Sequence, residues 1–170
     1  MEEGLVHLYW GSGKGKTTAA MGLALRALGA GQRVVVVQFL KNGQSGELEP
    51  LRGLGARVYS GGAGSKFVFQ MSEAEKTQTC AQQTQQLQQA LTGPCDLLVL
   101  DEACAAWQLG MVDKKLLENA VLHRPRGREV VLTGRDPAPW MQRAADYSTE
   151  MCCRRHPYDR GVPARRGVEF

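Results

Sequence analysis

The residues best suited to chemistry lie near the N-terminus, in a glycine-rich run that carries two lysines and two threonines. The run is Gly11-Ser12-Gly13-Lys14-Gly15-Lys16-Thr17-Thr18, between an apolar segment and one rich in Ala and Leu. Glycines let successive backbone N–H groups point into one concavity, and a helix N-terminus adds unpaired donors and a partial positive charge. This composition between a strand and a helix predicts a phosphate-binding loop.

Two side chains of this phosphate loop, residues 11–18, have separate predicted tasks. Lys16 places an ammonium group against the outer phosphates of a nucleotide, and the Thr17 hydroxyl is a ligand for Mg²⁺. Trp10 departs from the general pattern G-x-x-x-x-G-K-[ST], whose first position is glycine. The last three residues of the pattern are present, so phosphate binding is favoured over a glycine turn with incidental lysines.

Asp101 and Glu102 form the second candidate motif, directly after the apolar residues 97–100. Ligands of parallel sheets bind at the carboxyl ends of the strands, so this acid pair is predicted to lie beside the phosphate loop and to hold Mg²⁺. The alternative is a strand-end acid that caps the following helix. Both motifs together predict a nucleoside triphosphate and Mg²⁺, but kinases, ATPases, GTPases and other transferases share them.

Apolar runs and glycine positions predict the elements that carry these motifs. Strands are predicted at 5–10, 33–39, 56–59, 97–100, 129–133 and 147–151, and helices at 16–28, 72–91, 113–122 and 137–145. Strands that alternate with helices predict an α/β fold whose central sheet is mostly parallel and covered on both faces. The length of 170 residues predicts a single domain over 1–170.

The long helix at 72–91 carries the clearest local signals. Ser72 is predicted to cap it, with Glu75 at the spacing of a capping box. The glutamines are predicted to face solvent. The apolar side is predicted to consist of Cys80, Ala81, Thr84, Leu87 and Leu91.

Composition excludes several classes of protein. Hydrophobic residues make up 43% of the chain and charged residues 22%, which argues against disordered and collagen-like chains. The longest apolar run, 34–37, is too short to span a bilayer, and the acidic N-terminus lacks the basic start of a signal peptide, so a cytoplasmic protein is expected. The five cysteines lack C-x-x-C spacing, which argues against a zinc ribbon. The net charge of +4 is too modest to predict a nucleic-acid partner.

Several further stretches of the sequence, taken in chain order, carry a resemblance to a known family. They are Gly13 to Ala20 with Gly22 and Arg26, Val36 to Lys41 with Gly46-Glu47, Val99 to Glu102, Thr133-Gly134-Arg135, His156 to Ala164, and Arg166 to Glu169. With these stretches, nearly all of residues 4–170 resembles the ATP:corrinoid adenosyltransferases of vitamin B12 metabolism. The resemblance implies a P-loop NTPase-like (RecA-like) three-layer sandwich. It also implies transfer of the 5′-deoxyadenosyl group of ATP to the cobalt(I) of a reduced corrinoid, with release of inorganic triphosphate.

The resemblance implies site roles as well. Lys16 and the loop amides stabilise the leaving triphosphate, and Thr17, Asp101 and Glu102 serve Mg²⁺, for which Mn²⁺ is a possible substitute. Glu102 is expected to serve the metal because no water needs activation. Arg26 is placed to reach the nucleotide, with an exposed helix arginine as the alternative.

Phe67 and Phe69 follow the glycine-rich stretch Gly61-Gly62-Ala63-Gly64-Ser65. From their spacing alone, the two rings are same-face residues of a strand in the core. The resemblance instead matches them to an aromatic pair that keeps lower ligands off cobalt(II) and so eases its reduction, although Phe69 stands where Trp is usual. It further implies flavodoxin or a reduced flavin as the electron donor, and a homodimer. A P-loop kinase or ATPase that releases ADP, and a non-catalytic nucleotide-binding module, are the alternatives.

Overall fold

Strands and helices alternate along the chain in the computed structural model, which describes residues 3–64 and 66–169. The strands of this part are β1 (Val6–Trp10), β2 (Val34–Gln38), β3 (Arg57–Ser60), β4 (Leu97–Asp101), β5 (Glu129–Gly134) and β6 (Tyr147–Glu150). Its α-helices are α1 (Lys16–Gly29), α2 (Leu48–Gly53), α3 (Glu73–Ala90), α4 (Ala103–Gln108), α5 (Lys114–Leu122) and α6 (Pro139–Ala144). Short 3-10 turns occur at Val68–Gln70 and Pro157–Arg160. The short helices α2 and α4 were not predicted from the sequence.

The strands form one sheet in the order β3-β2-β4-β5-β1-β6, and every pairing is parallel. The predicted α/β fold with a mostly parallel sheet is therefore confirmed. β1 lies between β5 and β6, with Leu8 opposite Leu132 on one side and Ser148 on the other. Because all strands run in the same direction, all their carboxyl ends meet at one edge of the sheet.

Helices cover both faces of the sheet and divide the core into two layers. On one face, α1 and α2 pack their buried residues, such as Ala24 and Leu51, against Val36 and Val99. On the other face, α3 to α6 pack against the opposite sides of the same strands, including Val37 and Leu100. Burial on both faces explains why β2 and β4 are continuous apolar runs rather than alternating ones.

The start of α3 agrees with the sequence prediction, whereas its buried side agrees only in part. Ser72 Oγ accepts from the Glu75 amide at 3.2 Å, and Glu75 Oε2 accepts from the Ser72 amide at 2.7 Å, so the predicted capping box is confirmed. The predicted apolar side is correct for Leu87, which is buried, and for Leu91, which packs against the core, but the helix otherwise buries Thr79, Gln83 and Ala90 rather than Cys80, Ala81 and Thr84. Gln83 faces inward because its Oε1 accepts from the Leu40 amide at 3.0 Å.

Among the described residues, no helix has the length and apolar character needed to cross a membrane.

Candidate active site

The phosphate loop joins β1 to α1 and is held by the ends of two neighbouring strands. The Gly11 amide donates to Gly134 O at 3.2 Å, and the Gly13 amide donates to Met151 O at 2.6 Å, just beyond β6. A Cβ on Gly13 would lie 2.7 Å from that carbonyl oxygen, so only glycine fits this close approach. Gly15, with φ of 114°, turns the chain into α1, whose N-terminus has no side-chain cap. The first amides of α1 lack acceptors within the helix, as an anion site requires.

These amides open into a cleft of about 640 Å³. Its polar lining residues include Lys14, Lys16, Thr17 and Glu102. Its apolar lining residues come from α1, α2 and the residue after α2. They are Met21, Leu25, Pro50, Leu51 and Leu54. The cleft thus joins an anion site to an apolar surface, which suits a ligand with a polyanionic end and a less polar one.

Lys16 lies at the floor of the phosphate loop. Its Nζ donates to Gly13 O at 2.7 Å, across the loop. Burial lowers the pKa of Lys16, while the nearby carboxylates of Glu102 and Asp101 act in the opposite direction. The ammonium group is therefore held within the loop by one carbonyl, a contact that a phosphate oxygen can replace.

Asp101 is fully buried and accepts from four side chains. Its Oδ1 accepts from the hydroxyls of Thr17 at 2.8 Å and Thr133 at 2.7 Å. Its Oδ2 accepts from Gln38 Nε2 and Lys41 Nζ, each at 3.2 Å. A hydroxyl and a carboxylate side by side are the oxygen ligands that Mg²⁺ takes beside substrate phosphates, so Thr17 and Asp101 fit this ion.

Glu102 adopts a left-handed backbone conformation, with φ of 59° and ψ of 24°. Such strain costs about 1–3 kcal/mol in a residue other than glycine. The Glu102 amide donates to Thr133 Oγ1 at 2.9 Å, which helps to hold this conformation. The side chain lines the cleft, and burial raises its pKa, as does the neighbouring Asp101, against the opposing effect of Lys41 and Lys16.

Within residues 3–64 and 66–169, no three His, Cys, Asp or Glu side chains cluster as a metal cage. A divalent ion at Thr17 and Asp101 would therefore complete its coordination with substrate oxygens and water, which is how Mg²⁺ is usually held.

Arg26 does not reach the cleft. It is exposed on the last turn of α1 and is absent from the cleft lining. Ten residues separate it from Lys16, which corresponds to about 15 Å along the axis at 1.5 Å per residue. In the described part of the chain, Arg26 is therefore an exposed helix arginine, which was the alternative interpretation.

Phe67 and Phe69 lie in the loop that follows β3, at the same edge of the sheet as the phosphate loop. Their side chains are 68% and 82% exposed, and the two rings stack with centroids 5.6 Å apart and planes 4° from parallel. Residues Val68–Gln70 form a 3-10 turn rather than a strand, so the core-strand interpretation is wrong. Ser65, in the preceding glycine-rich stretch, lies outside the described residues.

The chain after β6 runs back over the phosphate loop, a feature that the sequence motifs did not predict. The Cys153 amide donates to Ser12 Oγ at 3.2 Å, and Lys14 Nζ donates to Val168 O at 3.0 Å. His156 Nδ1 accepts from the Tyr158 amide at 3.1 Å and so caps the 3-10 turn at Pro157–Arg160. The tail thereby brings Gly167, Val168 and Glu169 to the cleft.

A parallel α/β sheet with a glycine-rich loop after its first strand and an acid pair at the end of a neighbouring strand is the arrangement found in the P-loop class of nucleotide-binding proteins. A family model described as ATP:corrinoid adenosyltransferase BtuR/CobO/CobP matches residues 2–170. The corrinoid adenosyltransferase of Pseudomonas aeruginosa is 34% identical over 172 residues, which cover 99% of this chain and 85% of that protein. Those of Escherichia coli K12 and Salmonella typhimurium are 33% and 34% identical, with 99% of this chain and 87% of each protein covered.

The chain belongs to the ATP:corrinoid adenosyltransferase family. As a member, it is a transferase that moves the adenosyl group of ATP to a reduced corrinoid. The resemblance found in the sequence is thereby confirmed.

Proposed function

We propose that this protein joins the 5′ carbon of ATP to the cobalt(I) of a reduced corrinoid and releases inorganic triphosphate. Cobalt(I) supplies the electron pair of the new cobalt–carbon bond and becomes cobalt(III). The pair of the broken C5′–O bond leaves with the triphosphate. The observation that best supports this reaction is the uncapped N-terminus of α1, with Lys16 and the Thr17–Asp101 pair, at a cleft that is also lined by apolar side chains.

The phosphate loop binds the triphosphate as a leaving group in this proposal. Gly11, Ser12 and Gly13 maintain the shape of the loop, since the Gly11 and Gly13 amides already bond to the ends of β5 and β6. Lys14, Gly15, Lys16, Thr17 and Thr18 provide the donors for phosphate oxygens. Negative charge grows on the triphosphate as the bond breaks, and donors that are already oriented stabilise this charge without reorganisation.

Thr17, Asp101 and Glu102 hold Mg²⁺, or Mn²⁺ in its place. When bound, the ion supplies positive charge beside the triphosphate. Thr17 Oγ1 would offer a lone pair to the ion while its O–H group donates to Asp101 Oδ1, so one hydroxyl serves both partners. Glu102 acts on the metal rather than as a base, because cobalt is the nucleophile and no proton has to be removed.

Phe67 and Phe69 cover the lower face of the corrin in this proposal. Two stacked rings that are largely exposed contribute little to the core, which leaves them free to contact a large, flat ligand. By keeping water and other lower ligands off cobalt(II), they ease its reduction. The electron comes from flavodoxin or a reduced flavin. We further propose that the protein acts as a homodimer in the cytoplasm.

The products of one reaction test the proposal. Purified protein is mixed with MgATP and chemically reduced cobalamin in the dark, and both products are quantified. We expect a light-sensitive adenosylcobalamin spectrum and one equivalent of inorganic triphosphate. Release of ADP and phosphate without the cobalt product would instead favour a kinase or ATPase, and ATP binding without turnover would favour a nucleotide-binding module.

A further inference from the structure

Gln38 is a polar residue in one of the most deeply buried places of the protein. It ends β2 after four valines and is 1% exposed. A buried carboxamide is strongly unfavourable unless its donors and acceptors are paired. Its Nε2 donates to Asp101 Oδ2 at 3.2 Å and to Glu47 Oε1 at 3.5 Å. Its Oε1 accepts from the hydroxyls of Ser60 at 2.9 Å and Ser45 at 3.4 Å.

The four partners explain why this position carries a carboxamide. Two of them are carboxylates, which only accept, and two are hydroxyls, which donate here. Only a side chain with a donor half and an acceptor half can satisfy both pairs at once. The partners also fix the orientation of the amide, because the flipped amide would set its oxygen against Asp101 Oδ2.

These bonds connect two parts of the proposed active site. β2 lies between β3 and β4, so Gln38 lies between Ser60, at the end of β3, and Asp101, at the end of β4. Hydrogen bonds run in sequence from Thr17 to Asp101, from Gln38 to Asp101 and from Ser60 to Gln38. Ser60 directly precedes Gly61, which opens the Phe loop, defined as residues 61–64 and 66–70.

We propose that Gln38 is a positioning residue that couples the nucleotide site to the Phe loop through its hydrogen bonds to Asp101 and Ser60. The inference rests on the proposed function, since it takes the Phe loop to contact the corrin. Coupling between two binding sites is reciprocal. In this proposal the coupling is positive, so MgATP strengthens the binding of cobalt(II) corrinoid, and by reciprocity the corrinoid strengthens the binding of MgATP by the same factor. The loss of one neutral hydrogen bond, about 1 kcal/mol, lowers this factor about five-fold.

The test is the effect of MgATP on the affinity for cob(II)alamin, measured by visible absorption. Ser60→Ala removes the hydroxyl that bonds to Gln38 and leaves Asp101 untouched. We expect the enhancement by MgATP to fall about five-fold, while the affinity for MgATP without corrinoid stays at the wild-type value. Ser60→Thr keeps a hydroxyl and should restore the enhancement. Tyr59→Phe is the matched control, because it removes a neighbouring hydroxyl that bonds to Gln89 O on α3 instead.

A second variant tests the role of the amide itself. Gln38→Met has a similar length and no hydrogen bonds, and it should also lose the enhancement. Adding Ser60→Ala to Gln38→Met should then cause little further loss, because both changes break the same connection.

Three results distinguish failure of the coupling from failure of the proposed function. If the wild type adenosylates chemically reduced cobalamin but Ser60→Ala keeps the full enhancement, the coupling is refuted and the proposed function stands. If Ser60→Thr loses as much as Ser60→Ala, the hydroxyl is not the coupling group and the inference is also refuted. A wild type that forms no adenosyl product refutes the proposed function itself.

Discussion

Replacement of Phe69 by alanine distinguishes corrin contact from core packing. The Phe69 ring is 82% exposed, and its main contact is the stack with Phe67. An aromatic pair contributes about 0.5–1.5 kcal/mol, so Phe69→Ala should lower the free energy of unfolding by about 1.5 kcal/mol at most. Phe39 is the matched control, since it is fully buried, and its truncation should cost about 3–5 kcal/mol. For a chain of this size, about 1 kcal/mol shifts Tm by roughly 2–4 °C.

The activity of the same variant is measured with two sources of reduced cobalt. With a reduced flavin or flavodoxin as donor, Phe69→Ala readmits a lower ligand to cobalt(II), and the rate should fall about ten-fold or more, equivalent to about 1.4 kcal/mol in the barrier. With cobalt(I) made chemically in advance, the rate should stay near the wild-type value, because the phosphate loop is untouched. Phe69→Trp should be tolerated in both assays.

The reasoning fails if Phe69→Ala lowers both rates equally. It also fails if the variant loses as much stability as Phe39→Ala, since the ring would then be a packing residue. The cobalt(II) spectrum in the presence of MgATP provides an independent check, because a five-coordinate spectrum in the variant and a four-coordinate one in the wild type would show that the ring excludes the lower ligand.

Three further substitutions test the nucleotide site. Lys16→Ala should abolish most activity and weaken ATP binding without a large change in Tm, and wild-type kinetics in this variant would refute the role of the phosphate loop. Glu102→Gln should lose activity that a higher Mg²⁺ concentration or Mn²⁺ partly restores, whereas a loss that no metal repairs, with ADP as product, would favour an ATPase. Because burial raises the pKa of Glu102 above its ordinary value of 4.5, its ionisation destabilises the fold as pH rises. The Tm advantage of Glu102→Gln without ligands should therefore be larger at about pH 7 than at about pH 4, and an advantage independent of pH would contradict this effect. Gly13→Ala sets a Cβ 2.7 Å from Met151 O and should weaken ATP binding, whereas an alanine at Gly29, at the far end of α1 and outside the cleft lining, meets nothing within 4 Å and should not, as isothermal titration would measure; equal affinities would show that the loop tolerates the clash.

Features that depend on neighbours in the chain were predictable from the sequence. The Ser72 cap of α3 and the turn of the phosphate loop into α1 depend on residues within a few positions, so composition and spacing were sufficient. The buried side of α3 was not predictable in this way. Gln83 is buried because the Leu40 amide, 43 positions earlier, needs an acceptor, and nothing in the helix itself indicates that partner.

In the candidate site, too, features set by neighbouring residues were predictable and long-range contacts were not. Asp101 followed from its position at the end of an apolar strand. Three of its four partners did not, because Gln38 and Thr133 come from the ends of β2 and β5, and Lys41 follows β2. They meet at Asp101 only through the strand order β2-β4-β5, which periodicity does not determine. The only sequence signal for these three residues was that each lies within a stretch that resembles the family.

The position of β1 in the sheet has a consequence for the synthesis of the protein. β1 and its phosphate loop are made before the rest of the sheet, but among the described residues β1 pairs only with β5 and β6, and the Leu5 amide bonds to Glu129, 124 positions later. Chains emerge from the ribosome N-terminus first, and contacts between distant positions form slowly. Gly134 and Met151, whose carbonyl oxygens accept from amides of the phosphate loop, also come late in the chain. We therefore expect the nucleotide site to be among the last parts to form, and a bound nucleotide to stabilise the finished fold rather than its early intermediates.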